Sequence, residues 1–250
     1  MRPKYDIYSN LGYWFLSLIV LVFFGFNVTY FFVISQPKPA LIHIHFALMA
    51  LWVLMLIVQP FLIKYKKTKW HKLVGKTSYI LVPLVLITSF LVIRQEYYGN
   101  IYELTSAVAP ALTDAEITQK AAEQPIALIY FTWFTLFYIL AIVNRHRSLI
   151  HSRYMLATAL TLVGPTVDRI LGIHFGIETL FGFIPAFIIS FLLNDILLLY
   201  LLYQDSKNKM PIKTLATCLI IYIGGQVLYF AVPLMDWWPS LVALIMKPAP

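Results

Sequence analysis

The chain has 250 residues, of which 60% are hydrophobic and only 12% are charged. A water-soluble domain carries about 25% charged residues, so this composition excludes an ordinary soluble fold. The formal net charge of +8 comes from basic residues beside apolar runs, which indicates contact with membrane lipids and no binding of nucleic acid. The single cysteine, Cys218, excludes an intrachain disulfide and a Cys-x-x-Cys redox pair.

Seven apolar runs of roughly 20 residues follow one another along the chain, and each is of a length that crosses a bilayer as a helix. They cover residues 11–34, 41–63, 74–94, 126–143, 154–173, 179–203 and 214–235. The sequence therefore predicts an all-α fold, a polytopic transmembrane helical bundle of about seven spans that forms a single domain over residues 1–250.

Lys and Arg are distributed unevenly between the predicted loops. If the N-terminus lies in the cytoplasm, 14 of the 19 basic residues lie on the cytoplasmic side. The outer side keeps only Lys38, Arg94, Lys120, Arg169 and Lys247. The positive-inside rule then predicts an N-in, C-out orientation, and we expect the chain in the bacterial cytoplasmic (inner) membrane.

The longest predicted loop covers residues 95–125 and is acidic, which assigns it to the outer side. Within this loop Thr113 and Glu116 have the spacing of a capping box, which predicts the start of a short surface helix. The loop is either a solvated connector or a lid over a site, and both interpretations remain open.

The predicted topology brings all six histidines close to a membrane face. The cytoplasmic group comprises His71, His146 and His151, and the outer group comprises His43, His45 and His174. Since an imidazole has a polar tip on an apolar body, each of them also has an ordinary interpretation as an interfacial residue.

Imidazoles on different helices favour bis-histidine ligation of haem b, because a haem between two helices needs an axial nitrogen from each side. We expect His71 and His151 to hold a haem on the cytoplasmic side, and His45 and His174 to hold an outer one. Electrons would then cross the membrane and pass to or from quinone or another redox partner.

Helical spacing adds two residues to the cytoplasmic site. Gly75 follows His71 by four residues, which would leave open space beside the imidazole on the same helical face. Met155 follows His151 at the same spacing and shares its face. Both residues are predicted to contact the bound group.

A divalent metal at the outer face is the alternative for the outer group. His43, His45, His174 and Asp168 offer the nitrogen and carboxylate ligands of a catalytic zinc site. Such a centre would activate water for hydrolysis of a membrane substrate.

Polar residues inside the spans are costly in lipid and usually face a partner or a cavity. Asp168 and Arg169 are adjacent in the fifth run, and we expect an internal ion pair there. Asp195 in the sixth run is either a proton-relay or substrate residue or the partner in a structural hydrogen bond. Gln59 and Gln226 are predicted to hydrogen-bond between helices.

Two short motifs resemble those of a widespread family of uncharacterised bacterial membrane proteins. The first is Trp70-His71-Lys72-Leu73-Val74-Gly75-Lys76 and the second is His151-Ser152-Arg153-Tyr154-Met155. In that family a His-Arg-x-x-Gly-Arg motif precedes one span and a His-x-Arg-Trp-Met motif opens a later one. Here lysines replace both arginines of the first motif and Tyr154 replaces the tryptophan of the second.

The resemblance covers roughly residues 41–173 and implies a site without naming a reaction. The residues that it marks are His71, Gly75, His151, Arg153 and Met155. A fainter likeness to multi-helix b-type cytochromes rests only on histidines towards both ends of a bundle. Three functions remain open: a haem b redox protein, an outward-facing metal-dependent membrane hydrolase, and a non-catalytic transporter, receptor or assembly subunit.

Overall fold

The computed structural model describes residues 8–106, 113–122 and 126–247, and within these ranges the chain is almost entirely helical. The helices are α1 (Leu11–Phe26), α2 (Ala40–Lys64), α3 (Thr68–Ser106), α4 (Asp114–Ala122), α5 (Ile126–Val143), α6 (Ser148–Leu160), α7 (Val163–Arg169), α8 (Ile188–Lys207), α9 (Lys213–Ala231) and α10 (Trp238–Met246). Two strands, β1 (Thr179–Leu180) and β2 (Ile184–Pro185), form the β-structure of the described residues. The all-α prediction is confirmed.

Six helical segments in the described ranges are long and apolar enough to cross a membrane. They are α2, α3, α5, the segment Ser148–His174 that contains α6 and α7, α8, and α9 with its following turn. The apolar helix α1 has 16 residues and is shorter than these six. Many large apolar side chains lie on the molecular surface, as lipid contact requires. The chain is a multi-pass integral membrane protein.

Helix α3 is much longer than the predicted third span. Its 39 residues extend over about 58 Å, whereas the hydrocarbon layer is about 30 Å thick. The helix continues through residues 95–106, so the prediction of a loop from residue 95 was wrong for that part. The polarity of these residues had indicated a loop. A helix that extends beyond the bilayer into water is polar as well, so polarity does not distinguish the two.

The extension of α3 packs against α4 and α10 and forms a small second core. Its buried members are Tyr97, Ala121, Ala122, Val242 and Met246. The indole nitrogen of Trp238 donates to the carbonyl oxygen of Ala122 at 2.9 Å, which joins α10 to the C-terminal end of α4. Helix α4 is therefore part of a packed three-helix arrangement.

The capping box predicted at the start of α4 is present. The backbone N–H of Thr113 donates to Oε2 of Glu116 at 2.8 Å, and the backbone N–H of Glu116 contacts Oγ1 of Thr113 at 3.3 Å. Both bonds satisfy N–H groups that have no partner inside the helix.

The segment Ser148–His174 is the central helix of the bundle. Over its most apolar 18 residues 56% are buried, against 17–33% for the other five spanning segments. The helix is interrupted between α6 and α7, and it ends in a π-helical turn, Ile170–His174. Pro165 explains the interruption, because it lacks an N–H and its ring excludes the carbonyl group of Thr161 from helical geometry.

A β-hairpin replaces the first part of the predicted sixth span. Thr179 pairs with Pro185 and Leu180 with Ile184, and helix α8 begins only at Ile188. The turn has φ of 53° at Phe181 and 80° at Gly182, and such left-handed values end a right-handed helix. Apolarity alone had predicted helix from residue 179, but the turn geometry decides otherwise.

The N-terminal segment identifies one end of the bundle by the contacts that it makes there. Tyr8 donates to Asp205 at 2.8 Å and Lys64 donates to Asn10 at 2.8 Å, which joins the N-terminal segment to the ends of α2 and α8. We call this the basic end, because it also bears the Lys and Arg residues of the loops before α3, α6 and α9. The end that bears α4 and α10 is called the opposite end.

Candidate functional site

Two histidines from different helices lie together at the basic end. His71 is in the first turn of α3 and His151 is in the first turn of α6. Their ring centroids are 6.5 Å apart and the ring planes meet at 82°, so that the two rings are nearly perpendicular. Both side chains are half-buried. The two motifs that sequence analysis singled out are thus neighbours in space.

Gln59 of α2 holds His71 in place. Its amide, oriented so that each atom meets a complementary partner, accepts from the backbone N–H of Gly75 at 2.9 Å and donates to the carbonyl oxygen of His71 at 3.3 Å. The same amide nitrogen also donates to Nδ1 of His71. Because this Nδ1 accepts a hydrogen bond, the proton of the neutral imidazole is on Nε2.

Gly75 lies beside the Gln59 amide. A Cβ atom at Gly75 would lie 3.7 Å from that amide, which is an ordinary van der Waals distance, so the position has room for a methyl group. The open space that the sequence predicted beside His71 at Gly75 is bordered by Gln59.

His151 is bound in the opposite hydrogen-bonding state. Its Nδ1 lies 2.9 Å from the carbonyl oxygen of Ala141, near the C-terminal end of α5. A carbonyl oxygen can only accept, so Nδ1 of His151 carries the proton and Nε2 has a free lone pair. Ala141 is among the last four residues of α5, whose carbonyl groups have no partner within the helix.

A short chain of hydroxyl groups begins one turn beyond Gly75. The hydroxyl of Ser78 lies 2.7 Å from the carbonyl oxygen of Gly75 and 2.9 Å from the hydroxyl of Tyr138 on α5. Tyr138 is one helical turn from Ala141, which binds His151. Polar atoms of α2, α3 and α5 therefore meet just inside the histidine pair.

Arg153 lies two residues beyond His151 and is fully buried. Its guanidinium group forms an ion pair with Asp205 of α8, whose side chain is 2% exposed. The guanidinium also donates from Nε to the hydroxyl of Tyr8 at 3.0 Å and from a terminal nitrogen to the carbonyl oxygen of Pro211. All of these groups are bonded, which is the condition under which a buried ion pair is tolerated.

The Tyr8 hydroxyl completes this network. It donates to Oδ2 of Asp205 at 2.8 Å while it accepts from Arg153. Burial raises the pKa of Tyr8 above its ordinary value, so the hydroxyl keeps the proton that it donates. The network joins the N-terminal segment, α6, α8 and the loop before α9. Arg153, marked by the motif, thereby anchors the helix that presents His151.

Met155 is half-buried and packs against the main core of the bundle. It lies one turn from His151 on α6, as the spacing predicted. Its thioether contacts apolar residues, and the structure gives it no polar partner among the described residues. Its observed role is packing.

At the opposite end each histidine binds a different partner. Nδ1 of His43 lies 3.0 Å from the hydroxyl of Tyr30, and Nδ1 of His45 lies 3.1 Å from Oγ1 of Thr88. The structure places His174 elsewhere, with Nε2 2.8 Å from the carbonyl oxygen of Phe24. In the described ranges no group of three or more His, Cys, Asp or Glu side chains has a metal-binding arrangement.

Asp168 and Arg169 do not pair with each other, although both are described. Asp168 accepts from the hydroxyl of Tyr130 at 3.1 Å and from the hydroxyl of Ser190. The Arg169 guanidinium lies 4.8 Å from the ring centroid of Phe26. Because successive residues of a helix point about 100° apart, the two side chains face different neighbours. The expected ion pair was wrong.

Asp195 receives both of its hydrogen bonds from one side chain. The amide nitrogen of Gln226 on α9 lies 3.1 Å from each carboxylate oxygen. This contact joins α8 to α9, so Gln226 forms the interhelical bond that its position predicted. The structural alternative accounts for the contact that Asp195 makes.

Sequence reasoning missed the residues that orient the site. Gln59 was predicted only to bond between helices, and Tyr8, Ser78, Tyr138 and Asp205 were not assigned to a site. One signal was available: a single amide in the long apolar run 41–63 is costly unless it has a specific partner. The partner itself depends on the tertiary fold.

Comparison with known proteins yields no match. No family model, no curated protein and no solved structure is similar to this chain. The site is therefore interpreted from its own geometry.

Proposed function

We propose that this protein exchanges protons at the basic end of the bundle, with His71 and His151 as the proton-transfer pair of a non-catalytic membrane transporter. The observation that supports this most is the complementary hydrogen bonding of the pair. His71 offers an Nε2–H group, whereas His151 offers an Nε2 lone pair. One imidazole offers a donor and the other an acceptor, and their ring centroids are 6.5 Å apart, so the two form a pair suited to proton transfer.

The chemistry of one cycle needs only His151 to change its charge. A proton from the aqueous phase binds the lone pair on Nε2 of His151 and gives an imidazolium. The Ala141 carbonyl oxygen keeps its bond to Nδ1–H and stabilises the positive charge. Gln59 keeps His71 in the Nε2–H state, so His71 donates to the oxygen of a bridging water that delivers the proton to His151. Release of the proton restores the neutral pair.

The haem b proposal has one observation in its favour, namely two imidazoles from different helices at 6.5 Å. The residues fit that role poorly. An axial ligand needs a lone pair on the coordinating nitrogen, and the bond from Gln59 leaves Nε2 of His71 protonated. The Gln59 amide also borders the space beside Gly75 that a porphyrin edge would need to enter. Electron transfer, with quinone as partner, is the second candidate, and the distance between the two imidazoles is the observation that favours it.

Solid-state ¹⁵N NMR of the histidine-labelled protein in liposomes tests the proposal. All six histidines contribute signals, so the two are assigned by difference. We expect a neutral imidazole signal protonated on Nε2 to be lost in His71→Asn, and a signal protonated on Nδ1 to be lost in His151→Asn. His146→Asn is the control, because His146 is exposed in the loop between α5 and α6. Identical tautomers for the two residues would overturn the proposal. A Soret band that both site variants abolish would favour haem b instead.

A further inference from the structure

We infer that the histidine pair is one terminus of a proton path that crosses the bundle along α2 and ends at His45 and Thr88. This inference rests on the proposed function. Its basis is a stripe of three side chains on α2, His45, Trp52 and Gln59, spaced seven residues apart. Residues seven apart lie on one helical face, and these three extend over about 21 Å of a hydrocarbon layer about 30 Å thick.

The two ends of the stripe are bonded to α3. At the basic end Gln59 bonds His71 and Gly75. Towards the opposite end Nδ1 of His45 lies 3.1 Å from Oγ1 of Thr88, and Thr88 is buried. The polar atoms at both ends of the stripe therefore lie in the contact between α2 and α3.

The hydrogen bonds of Thr88 favour one state of His45. Oγ1 of Thr88 lies 2.9 Å from the carbonyl oxygen of Leu84 and 3.1 Å from that of Val85, and a threonine inside a helix commonly donates its single hydroxyl proton to such a carbonyl group. With the proton directed there, Oγ1 accepts from Nδ1–H of His45, and Nε2 of His45 has a free lone pair. His45 thus has the same state as His151 and can accept a proton in the same way.

Trp52 lies midway between the two histidine sites and has an unsatisfied donor. Its side chain is fully buried, and among the described residues its indole Nε1 has no hydrogen-bond partner. Leaving such a group unpaired is costly, so a buried unpaired donor marks a position for an ordered water. The ring centroids of Trp52 and Tyr138 are 5.9 Å apart, and Tyr138 bonds Ser78.

A water bound to Trp52 would connect the hydroxyl pair to the rest of the stripe. Indole N–H is a donor only, so Trp52 positions the water and does not relay a proton itself. Each water or hydroxyl oxygen accepts one proton and releases its own to the next acceptor. One proton then enters at one terminus for each proton that leaves at the other, and no atom is oxidised or reduced.

The segment between Trp52 and His45 is the apolar part of the path. It covers two helical turns of α2, about 10 Å, and Val82 and Val85, which precede Thr88 on α3, are buried. A short file of waters must occupy this segment when protons pass. The apolar wall provides no alternative polar partner that would trap a proton there.

Proton flux into proteoliposomes tests the path. The purified protein is reconstituted with a pH-sensitive dye inside, and a potassium gradient with valinomycin drives proton movement. We expect flux above that of protein-free liposomes. Trp52→Phe should lower the flux about tenfold, since it removes the N–H and keeps a ring. His45→Phe should abolish it.

Two matched controls separate the path from general damage. Trp133→Phe also removes a buried indole N–H, but that group donates to the carbonyl oxygen of Ile221 on α9 and does not belong to the stripe. His43→Phe removes an imidazole two residues from His45 that bonds Tyr30 instead. Both controls should keep at least half of the flux.

The outcomes distinguish this inference from the proposed function. If wild-type protein carries no flux, or if Trp52→Phe and Tyr138→Phe both conduct like wild type, the path does not exist. The NMR tautomers of His71 and His151 would be unaffected by that result and would decide the proposed function independently. Unchanged tautomers in Trp52→Phe also show that its loss of flux is not a loss of structure.

Discussion

The histidines at the two ends of the bundle differ in their spacing and in their hydrogen-bond partners. At the basic end His71 and His151 come from different helices, lie 6.5 Å apart between ring centroids and have complementary hydrogen bonds. At the opposite end His43 and His174 bind a tyrosine hydroxyl and a backbone carbonyl in separate places. Similar numbers of imidazoles at two membrane faces thus give a paired site at one face and separate contacts at the other.

The difference arises from what surrounds each imidazole. The basic end has a buried ion pair between Arg153 and Asp205 that fixes α6 two residues from His151. At the opposite end the Arg169 guanidinium lies over the ring of Phe26 and forms no ion pair with a carboxylate within 4 Å in the part of the chain that the structure describes. Pairing of two side chains from different helices requires that both helices be held in register. The basic end meets that requirement with charged and amide groups.

Breaking the ion pair should produce the largest effect. Arg153→Met leaves Asp205 buried without its partner, and we expect a loss of about 3–5 kcal/mol in the free energy of unfolding. The double variant Arg153→Met with Asp205→Leu removes both charges and should recover most of the loss. Denaturant unfolding in detergent measures both. If the single and double variants were equally unstable, the ion pair would not be what holds this end.

The packed centre between the two ends should give the next largest effect. A Cβ atom at Gly225 would lie 2.3 Å from the indole nitrogen of Trp133, whereas one at the adjacent Gly224 would meet nothing within 4 Å. Gly225→Ala should cost about 1–3 kcal/mol, because overpacking forces the indole to move. Gly224→Ala is the matched control and should be neutral or stabilising, by up to about 1 kcal/mol. Equal effects would mean that α5 and α9 are not in close contact.

Removing a hydrogen bond to Asp168 tests whether this carboxylate affects only stability or also the histidine pair at the basic end. Ser190→Ala removes one of its two hydroxyl donors and should cost about 1–1.5 kcal/mol in unfolding free energy. The NMR tautomers of His71 and His151 should not change, since the bonds of Asp168 go to Tyr130 and Ser190 and not to the partners of that pair. A changed tautomer at the basic end would break the distinction between the two ends.

The sequence predicted those parts of the fold that lie in lipid. The apolar runs at 41–63 and 126–143 agree closely with α2 and α5, because a helix in lipid must be apolar over its whole length. The extension of α3 and the hairpin at 179–185 were missed. Both lie where the chain leaves the bilayer, and there packing against α4 and α10 or the backbone conformation at Phe181 decides the structure.

The sequence predicted the two histidines of the candidate site but not the residues that bond to them and hold them. His71 and His151 each begin a helix at the same predicted face, so local spacing was enough to group them. Gln59 bonds His71, which lies 12 residues further along the chain. Asp205 pairs with Arg153, from which it is separated by 52 residues. Their effect depends on which helices are neighbours. An amide that sets the protonated nitrogen of an imidazole leaves no periodic signal in the sequence.

The smallest effect concerns α4 at the opposite end, where pH acts through a carboxylate instead of an imidazole. The backbone N–H and the hydroxyl of Thr113 bond the carboxylate of Glu116 and hold its pKa below the ordinary value. A lowered pKa means that the cap stabilises α4 above the ordinary pKa of about 4.3, and that this contribution is lost as the pH falls through the lowered value. Amide hydrogen exchange of Ile117, whose N–H bonds the Thr113 carbonyl, should therefore become less protected in acid, after correction for intrinsic exchange rates. In Glu116→Gln this pH dependence should disappear, and if it persisted, the capping carboxylate would not be its origin.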